Sequence, residues 1–209
     1  ENVMGKATVV GGGFGGLSIS ASLAKEGWDV TLLEKNETTG GRARYWEQDG
    51  FRFDMGPSWY LMPEVFERFF TDLGETRSEY YDLKRLDPFY KVYFGPNDSV
   101  TISADIEKTK ELFESFEPGG AKKLTAYLEA SKYKYDTAMG EFLYRDYRNI
   151  FSFFNKKIVT EGLKLQVFKS LDKYVSRYFS SRKAKQLLEY AMVFLGTSPH
   201  QAPALYSIM

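Results

Sequence analysis

Glycine occupies five of the six positions 11–16 in the stretch VVGGGFGGLS, directly after a short apolar run. Gly11, Gly13 and Gly16 have the spacing G-x-G-x-x-G. In such a turn the first glycine permits a tight exit from a strand, the second leaves room for a diphosphate against the backbone, and the third lets the next helix pack close to the strand. The helix N-terminus offers N–H groups and a positive dipole to the diphosphate. The spacing predicts a dinucleotide-binding turn, and a purely structural glycine turn is the alternative.

Two features that follow this turn indicate which dinucleotide it takes. Glu34 ends the next predicted strand, where a carboxylate accepts hydrogen bonds from ribose hydroxyls and repels a 2′-phosphate. A second glycine pair and an arginine come six residues later, and the guanidinium supplies charge and a fork of donors to a diphosphate. Simple NAD dehydrogenases do not need this second loop, and FAD is the cofactor that the resemblance described below implies. The predicted cofactor contacts in this region are Gly11, Gly13, Phe14, Gly15, Gly16, Glu34, Lys35, Gly40, Gly41 and Arg42.

The elements that must position these residues form a strand–turn–helix–strand unit. The patterns predict strands over 7–11 and 28–33 with a helix over 14–26 between them. A loop over 35–50 and an aromatic segment over 51–60 follow. A helix then begins at Pro63, because proline is favoured in the first turn, and ends near Leu73.

The second half of the chain is predicted to be mainly helical. The segments 89–94 and 99–103, joined by GPND, are typical of a β-hairpin. A helix over 105–116 ends before the breaker Pro118-Gly119-Gly120. Residues 121–195 have a helical pattern with a loop near 152–162, and 196–203 form a connector.

Composition excludes several classes of site. The chain has no cysteine and one histidine, His200. Disulfides, thiol nucleophiles, iron–sulfur clusters and cysteine zinc sites are therefore excluded, and we expect no metal site and no Ser-His-Asp triad. No apolar run approaches the roughly 20 residues of a membrane span. ENVMGK has no apolar core behind it, so we expect no signal peptide.

The zero net charge conceals an uneven distribution. Residues 1–120 carry 13 Lys and Arg against 21 Asp and Glu, whereas residues 121–185 carry 15 against 6. Within the basic part, FLYRDYRNIFSFFNKKIV (142–159) interleaves aromatic anchors with cations, a pattern that suits an anionic membrane surface. A helical subdomain with solvated lysines is the alternative, and the acidic first half argues against nucleic acid.

The glycine turn, Glu34 and Gly40-Gly41-Arg42 together resemble the FAD-binding start of the amine oxidase and carotenoid desaturase superfamily. One departure is Ser20, where that superfamily usually has alanine. The segment DGFRFDMGPSWYLMPEVFERFF (49–70) is similar to the one that follows this fingerprint in bacterial-type phytoene desaturases. There an Asp-x-Gly-Pro-Ser segment lies by the flavin; an ordinary turn is the alternative reading here. The resemblance adds as site residues Asp54, Gly56, Pro57 and Ser58.

The resemblance to the phytoene desaturase and diapophytoene dehydrogenase family implies an α/β fold. We expect a Rossmann-like FAD-binding βαβ domain, a mainly helical region that faces substrate and membrane, and a small β-hairpin. The implied domains are 1–85 (first part of the FAD-binding domain), 86–118 (start of the substrate-domain sheet) and 119–209 (helical substrate- and membrane-binding region, C-terminally incomplete). The family normally continues with a second glycine-rich FAD segment, so an N-terminal portion is implied.

The implied activity is FAD-dependent desaturation of phytoene or diapophytoene in carotenoid biosynthesis, with a hydride passing to flavin N5. The sequence does not identify the catalytic base; Asp54 is a candidate with a structural role as the alternative, and Asp146 lies in a helical region where the alignment is loose. The implied partners are a hydrophobic polyene and the membrane surface, with a homo-oligomer to cover apolar area and no nucleic acid. We expect a cytoplasmic protein bound peripherally to the inner face of the cell membrane. A carotenoid ketolase, isomerase or saturase, an amine oxidase, and an inactive dinucleotide- or membrane-binding fragment stay open.

Overall fold

A parallel strand pair joined by one helix begins the chain. β1 (Lys6–Val10) pairs with β2 (Asp29–Leu33) from Lys6 opposite Asp29 to Val10 opposite Leu33. α1 (Phe14–Lys25) connects them, as a parallel crossover requires. This βαβ unit confirms the predicted α/β fold, with bounds that differ from the predicted ones by one residue.

The computed structural model describes residues 4–56, 59–144 and 169–208. The chain divides into two compact units, Glu1–Lys84 and Arg85–Met209. The functional division into 1–85, 86–118 and 119–209 stays a prediction.

The segment after β2 corrects the sequence-based expectation. The loop expected over 35–50 contains a 3-10 turn (Gly41–Ala43) and β3 (Tyr45–Gln48), and β3 pairs antiparallel with β4 (Phe51–Asp54). The two residues between the strands, Asp49 and Gly50, both have positive φ, at 53° and 80°. Such a two-residue turn matches the right-handed twist of the flanking strands.

α2 (Pro63–Leu73) has the predicted bounds and the predicted proline in its first turn. A 3-10 turn follows at Arg77–Glu79. Arg77 holds this end of the unit to α2, because its Nε donates to the Glu67 carboxylate at 2.7 Å and its Nη1 donates to the Tyr81 carbonyl at 2.6 Å.

The C-terminal unit begins with the predicted hairpin. β5 (Tyr90–Gly95) pairs antiparallel with β6 (Asp98–Ile102), and α3 (Ile106–Phe116) follows. Asp105 caps α3 by accepting a hydrogen bond from the Glu107 N–H at 2.9 Å, which satisfies one of the free N–H groups of the first turn.

The remaining described elements are helical, as predicted. α4 (Gly120–Thr137) continues into a π-helical turn (Ala138–Leu143). The later elements are α5 (Leu171–Val175), α6 (Arg182–Glu189), α7 (Met192–Leu195) and a 3-10 turn (Ala204–Ile208). The loop predicted near 152–162 and most of the basic aromatic stretch 142–159 lie outside the described residues.

The core of the C-terminal unit joins α3 and α4 to α5 and the segment that precedes α6. Phe113 packs edge-on against Phe179 at 5.3 Å, and Tyr127 contacts Tyr174 at 5.8 Å between ring centroids. The Glu117 carboxylate accepts hydrogen bonds from the Ser180 N–H (2.9 Å) and the Lys123 ammonium. It also accepts one from the Ser181 N–H at 2.5 Å, which fixes the start of α6.

One lysine is enclosed in this core. Lys134 on α4 is 3% exposed, and its Nζ lies 3.4 Å from the centre of the Tyr174 ring. The same Nζ donates to Ser207 Oγ at 2.9 Å and to the Ala204 carbonyl at 3.4 Å. Burial, and to a lesser degree the Arg177 charge, lowers the pKa of Lys134 to about 8.

None of the helices in the described ranges combines the length and the apolar character that a membrane crossing requires.

Candidate dinucleotide-binding site

The first glycine turn holds α1 directly against β1. The Gly11 N–H donates to the Leu33 carbonyl at 2.7 Å, and the φ of Gly11 is 102°, in the left-handed region. A Cβ built on Gly16 would lie 1.8 Å from the Gly11 carbonyl oxygen. The predicted role of Gly16 in close packing of the helix on the strand therefore has a direct steric basis.

The second glycine loop lies against the first. The Gly40 N–H donates to the Gly12 carbonyl at 2.7 Å, and a Cβ on Gly41 would lie 3.0 Å from the Gly13 Cα. A Cβ on Gly56 would lie 1.9 Å from the Arg42 carbonyl oxygen. Three glycine-containing segments that are distant in sequence thus meet through bare backbone.

Glu34 is part of this assembly and is held on both carboxylate oxygens. Oε2 accepts a hydrogen bond from the Gly12 N–H at 2.6 Å. Oε1 accepts from the N–H of Asn36 at 2.9 Å and from its side-chain Nδ2 at 2.7 Å. The hydrogen bonds from the backbone N–H groups of Asn36 and Gly12 lower the pKa of Glu34, so the side chain is ionised at neutral pH.

The N-terminus of α1 is suited to an anion. Its N-cap residue is Gly13, no side chain caps it, and its first turn contains no acidic residue. The first N–H groups of a helix need partners, and an anionic group supplies them. Lys35 and Arg42 are exposed cations on the neighbouring loops.

An aromatic cluster, which sequence reasoning did not identify, adjoins the start of α1. Phe14 meets Phe66 edge-on at 6.2 Å, and Tyr60 packs on Phe66 at 4.6 Å. The Tyr60 and Tyr81 hydroxyls are 2.6 Å apart. Burial and this hydrogen bond raise the pKa of Tyr60, so it stays neutral. The only sequence indication was the number of aromatic residues in 51–81, which does not say which of them meet.

The remaining predicted site residues are placed as follows. Asp54 ends β4 opposite Tyr45 and is exposed, whereas Gly56 packs on the Arg42 carbonyl. Pro57, Ser58 and Asp146 lie outside the described residues. In the part of the chain that the structure describes, no three His, Asp or Glu side chains are grouped as metal ligands.

Replacement of Glu34 by glutamine tests its part in this site. The amide keeps the size of the side chain but removes the negative charge that supports three hydrogen bonds in the turn. We expect dinucleotide affinity to fall about tenfold, which is the effect of losing one charge-assisted hydrogen bond from the ribose. Cofactor titration followed by fluorescence measures the affinity. Glu37→Gln, at an exposed position of the same loop, is the control and keeps the wild-type affinity. Equal affinities for Glu34→Gln and wild type would show that the Glu34 charge has no part in binding.

Comparisons with known proteins agree with this geometry. Residues 9–73 match the family model described as an NAD(P)-binding Rossmann-like domain. A carotenoid 3,4-desaturase of Haloarcula japonica is 47% identical over 203 residues, which are 97% of this chain and 41% of that protein. A 4,4′-diapophytoene desaturase (4,4′-diaponeurosporene-forming) of Staphylococcus aureus strain Newman is 35% identical over 204 residues, 98% of this chain and 41% of the relative.

Solved structures with the same fold include variants of putrescine oxidase made to redesign its cofactor binding. One of them superposes with a TM-score of 0.54 at 17% sequence identity and covers 99% of this chain and 41% of its own. The wild type bound to putrescine superposes with a TM-score of 0.53 at 16% identity. At this identity the likeness concerns the fold alone. The chain spans about 41% of the length of the curated relatives that it matches.

Proposed function

Because this chain is a homologue of carotenoid and diapophytoene desaturases, we propose that the protein is an FAD-dependent oxidoreductase that desaturates a carotenoid precursor of the phytoene or diapophytoene type. The similarity covers nearly the whole chain, and it bears out the resemblance found in the sequence. The relatives are more than twice as long, so this proposal concerns the activity of the whole protein. The structural observation that carries the cofactor part of this proposal is the meeting of three glycine segments beside the uncapped start of α1.

The residues of the N-terminal unit fit an FAD diphosphate and ribose. The backbone at Gly16 and Gly56 has no room for a side chain, so the turns keep the shape that lets a phosphate reach the N–H groups of α1. The ionised Glu34 contacts the same turn through the Gly12 N–H and is placed to accept a hydrogen bond from a ribose hydroxyl. We propose that the cofactor is held by Gly11, Gly13, Phe14, Gly15, Gly16, Glu34, Lys35, Gly40, Gly41, Arg42, Gly56, Pro57 and Ser58.

The chemistry of the reaction divides between cofactor and protein. FAD, when bound, supplies the acceptor for the hydride that leaves a saturated carbon–carbon unit of the substrate. The protein binds the dinucleotide, orients it and keeps water away, and the Phe14, Tyr60 and Phe66 cluster offers apolar surface beside the turn. We keep Asp54 as the candidate that accepts the proton, because its exposed carboxylate is two residues from Gly56.

A peripheral position on the inner face of the cell membrane is part of the proposal. Polyene precursors dissolve in the bilayer, and the excess of cations in 121–185 favours its anionic cytoplasmic surface. A homo-oligomer is a second element, supported by large exposed apolar side chains such as Val10 (82% exposed) and Leu33 (51% exposed).

The purified whole protein should contain one FAD per chain and should convert a liposome-bound substrate. Visible absorption measures the flavin content, and intact mass identifies the chain that was purified. After incubation with phytoene or diapophytoene in liposomes, chromatography with mass detection should find a product that is lighter by two hydrogens and absorbs at longer wavelength. Omission of FAD from flavin-stripped protein is the control.

Other products would point elsewhere. A product heavier by two hydrogens indicates a saturase, one of unchanged mass an isomerase, and one that has gained oxygen a ketolase. Stoichiometric flavin with neither polyene converted would contradict the proposed activity, and absence of flavin would contradict the proposed site.

A further inference from the structure

A basic cleft of about 530 Å³ lies in the C-terminal unit, and none of the residues assigned to the dinucleotide belongs to its described lining. One wall is formed by residues 169–177, which include α5. The other wall is formed by residues 200–203, which precede the last 3-10 turn. The polar side chains that line it are Lys169, Ser170, Lys173, Arg177, His200 and Gln201.

Backbone hydrogen bonds join the two walls. The Leu171 N–H donates to the Ala202 carbonyl at 2.8 Å, and the Ala204 N–H donates to the Lys169 carbonyl at 2.7 Å. Ser170 and Pro203 form an antiparallel bridge between the walls. Because this backbone pairing holds the two walls together, the cleft between them is a fixed feature of the fold.

The charges in the cleft are of one sign. Lys169 lies just before α5, Lys173 within it and Arg177 just after it, and all three line the cleft. No carboxylate belongs to the described lining. The ammonium groups of Lys169 and Lys173 form no ion pair with any residue of the described ranges, whereas Asp172 contacts His200, with 3.4 Å from its Oδ2 to the Nδ1 of the histidine.

This combination suits a phosphate group. Lysine and arginine donate only, they carry charge at neutral pH, and together they neutralise a phosphate and hydrogen-bond its oxygens. The volume exceeds that of a phosphate ion and leaves space for the glycerol to which a lipid phosphate is attached. Residues 121–185, which include the lining residues Lys169, Lys173 and Arg177, carry an excess of nine positive charges in the sequence, as expected for a segment that meets an anionic bilayer.

We propose that this cleft binds the phosphate headgroup of an anionic glycerophospholipid and so attaches the C-terminal unit to the membrane. The choice of a lipid over a soluble phosphate ester rests on the proposed function, because a substrate dissolved in the bilayer requires the protein at its surface.

The test compares Lys169→Gln/Lys173→Gln with Lys108→Gln/Lys122→Gln. Both variants lose two positive charges, and Lys108 and Lys122 are exposed lysines outside the cleft. Binding is measured by co-sedimentation with phosphatidylcholine vesicles that contain about one third phosphatidylglycerol. We expect the cleft variant to bind about 25-fold more weakly than wild type, about fivefold for each cation, and the control variant to change by less than about threefold.

Three outcomes would overturn the proposal. Equal loss in both variants would show that net charge alone attracts the protein to vesicles. Wild-type binding by the cleft variant would show that the cleft is not used. Competition by soluble glycerol 3-phosphate for the cleft, with vesicle binding unaffected, would assign the cleft to a soluble ester. Flavin content measured in the same samples keeps this test separate, since loss of vesicle binding with flavin retained contradicts only the cleft.

Discussion

Gly16→Ala is expected to weaken FAD binding about 100-fold or more and to destabilise the N-terminal unit by about 3 kcal/mol. The added Cβ would lie 1.8 Å from the Gly11 carbonyl oxygen, which is part of the backbone and cannot rotate away. α1 must therefore shift from β1, and the N–H groups at its start shift with it. Both the packing of the unit and the position of the phosphate contacts are lost in one change.

Thermal unfolding followed by circular dichroism and FAD titration measure the two effects. Gly15→Ala is the matched control for unfolding, because a Cβ at Gly15 has nothing within 4 Å. Alanine there should raise the stability of α1 slightly, by about 0.5–1 kcal/mol, as is usual inside a helix. If Gly16→Ala unfolded like Gly15→Ala and bound FAD normally, the close packing of α1 on β1 would have no importance for the site.

Lys134→Met is expected to remove a pH dependence of stability from the C-terminal unit. The pKa of Lys134 is about 8 in the folded protein and about 10.4 in an unfolded chain. The unfolded state therefore binds more protons between these values, and the free energy of unfolding rises with pH through this window. For wild type, we expect the contribution of Lys134 to rise by about 2 kcal/mol between pH 7 and pH 10. Tyr127 and Tyr174 have raised pKa values in the folded protein and limit the window at its upper end.

Urea unfolding at intervals from pH 7 to pH 10 measures this contribution as the difference between wild type and variant. Lys132→Met is the control, since Lys132 lies on the same helix, is 74% exposed and pairs with Asp136 at 2.6 Å. It should keep the wild-type slope. Parallel curves for wild type and Lys134→Met would mean that the ammonium group is not destabilised by its enclosure.

Most local features of the fold could be predicted from the sequence, and the β3–β4 hairpin is the exception. The βαβ unit, α2 and the β5–β6 hairpin depend on periodicity, glycine and proline, and all three are present. The β3–β4 hairpin was missed although Asp49-Gly50 is a strong two-residue turn signal. β3 falls in the loop predicted over 35–50, and β4 in the segment 51–60 that was described only as aromatic. Each strand is four residues long and exposed throughout, so no buried face distinguishes it.

The contacts that form sites were harder to predict. The spacing of Gly11, Gly13 and Gly16 indicates a turn, but no pattern says that Gly56 meets Arg42. Lys134 is one of several lysines on α4, and only the packing of residues 174 and 204–207 around it sets it apart. The basic cleft likewise depends on pairing between segments about 30 residues apart.

The two units differ in how far along the chain their partners lie. Glu117 bonds to Ser181 and Lys134 to Ser207 across 64 and 73 residues. The β1–β2 register, by contrast, joins residues 23 apart, from Lys6 to Asp29. Loop closure becomes less favourable with separation, and local contacts form faster. During synthesis on the ribosome the N-terminal residues also emerge first. We therefore expect the glycine turns to form before the ribosome has synthesised Ser181 and Ser207, the distant partners of Glu117 and Lys134.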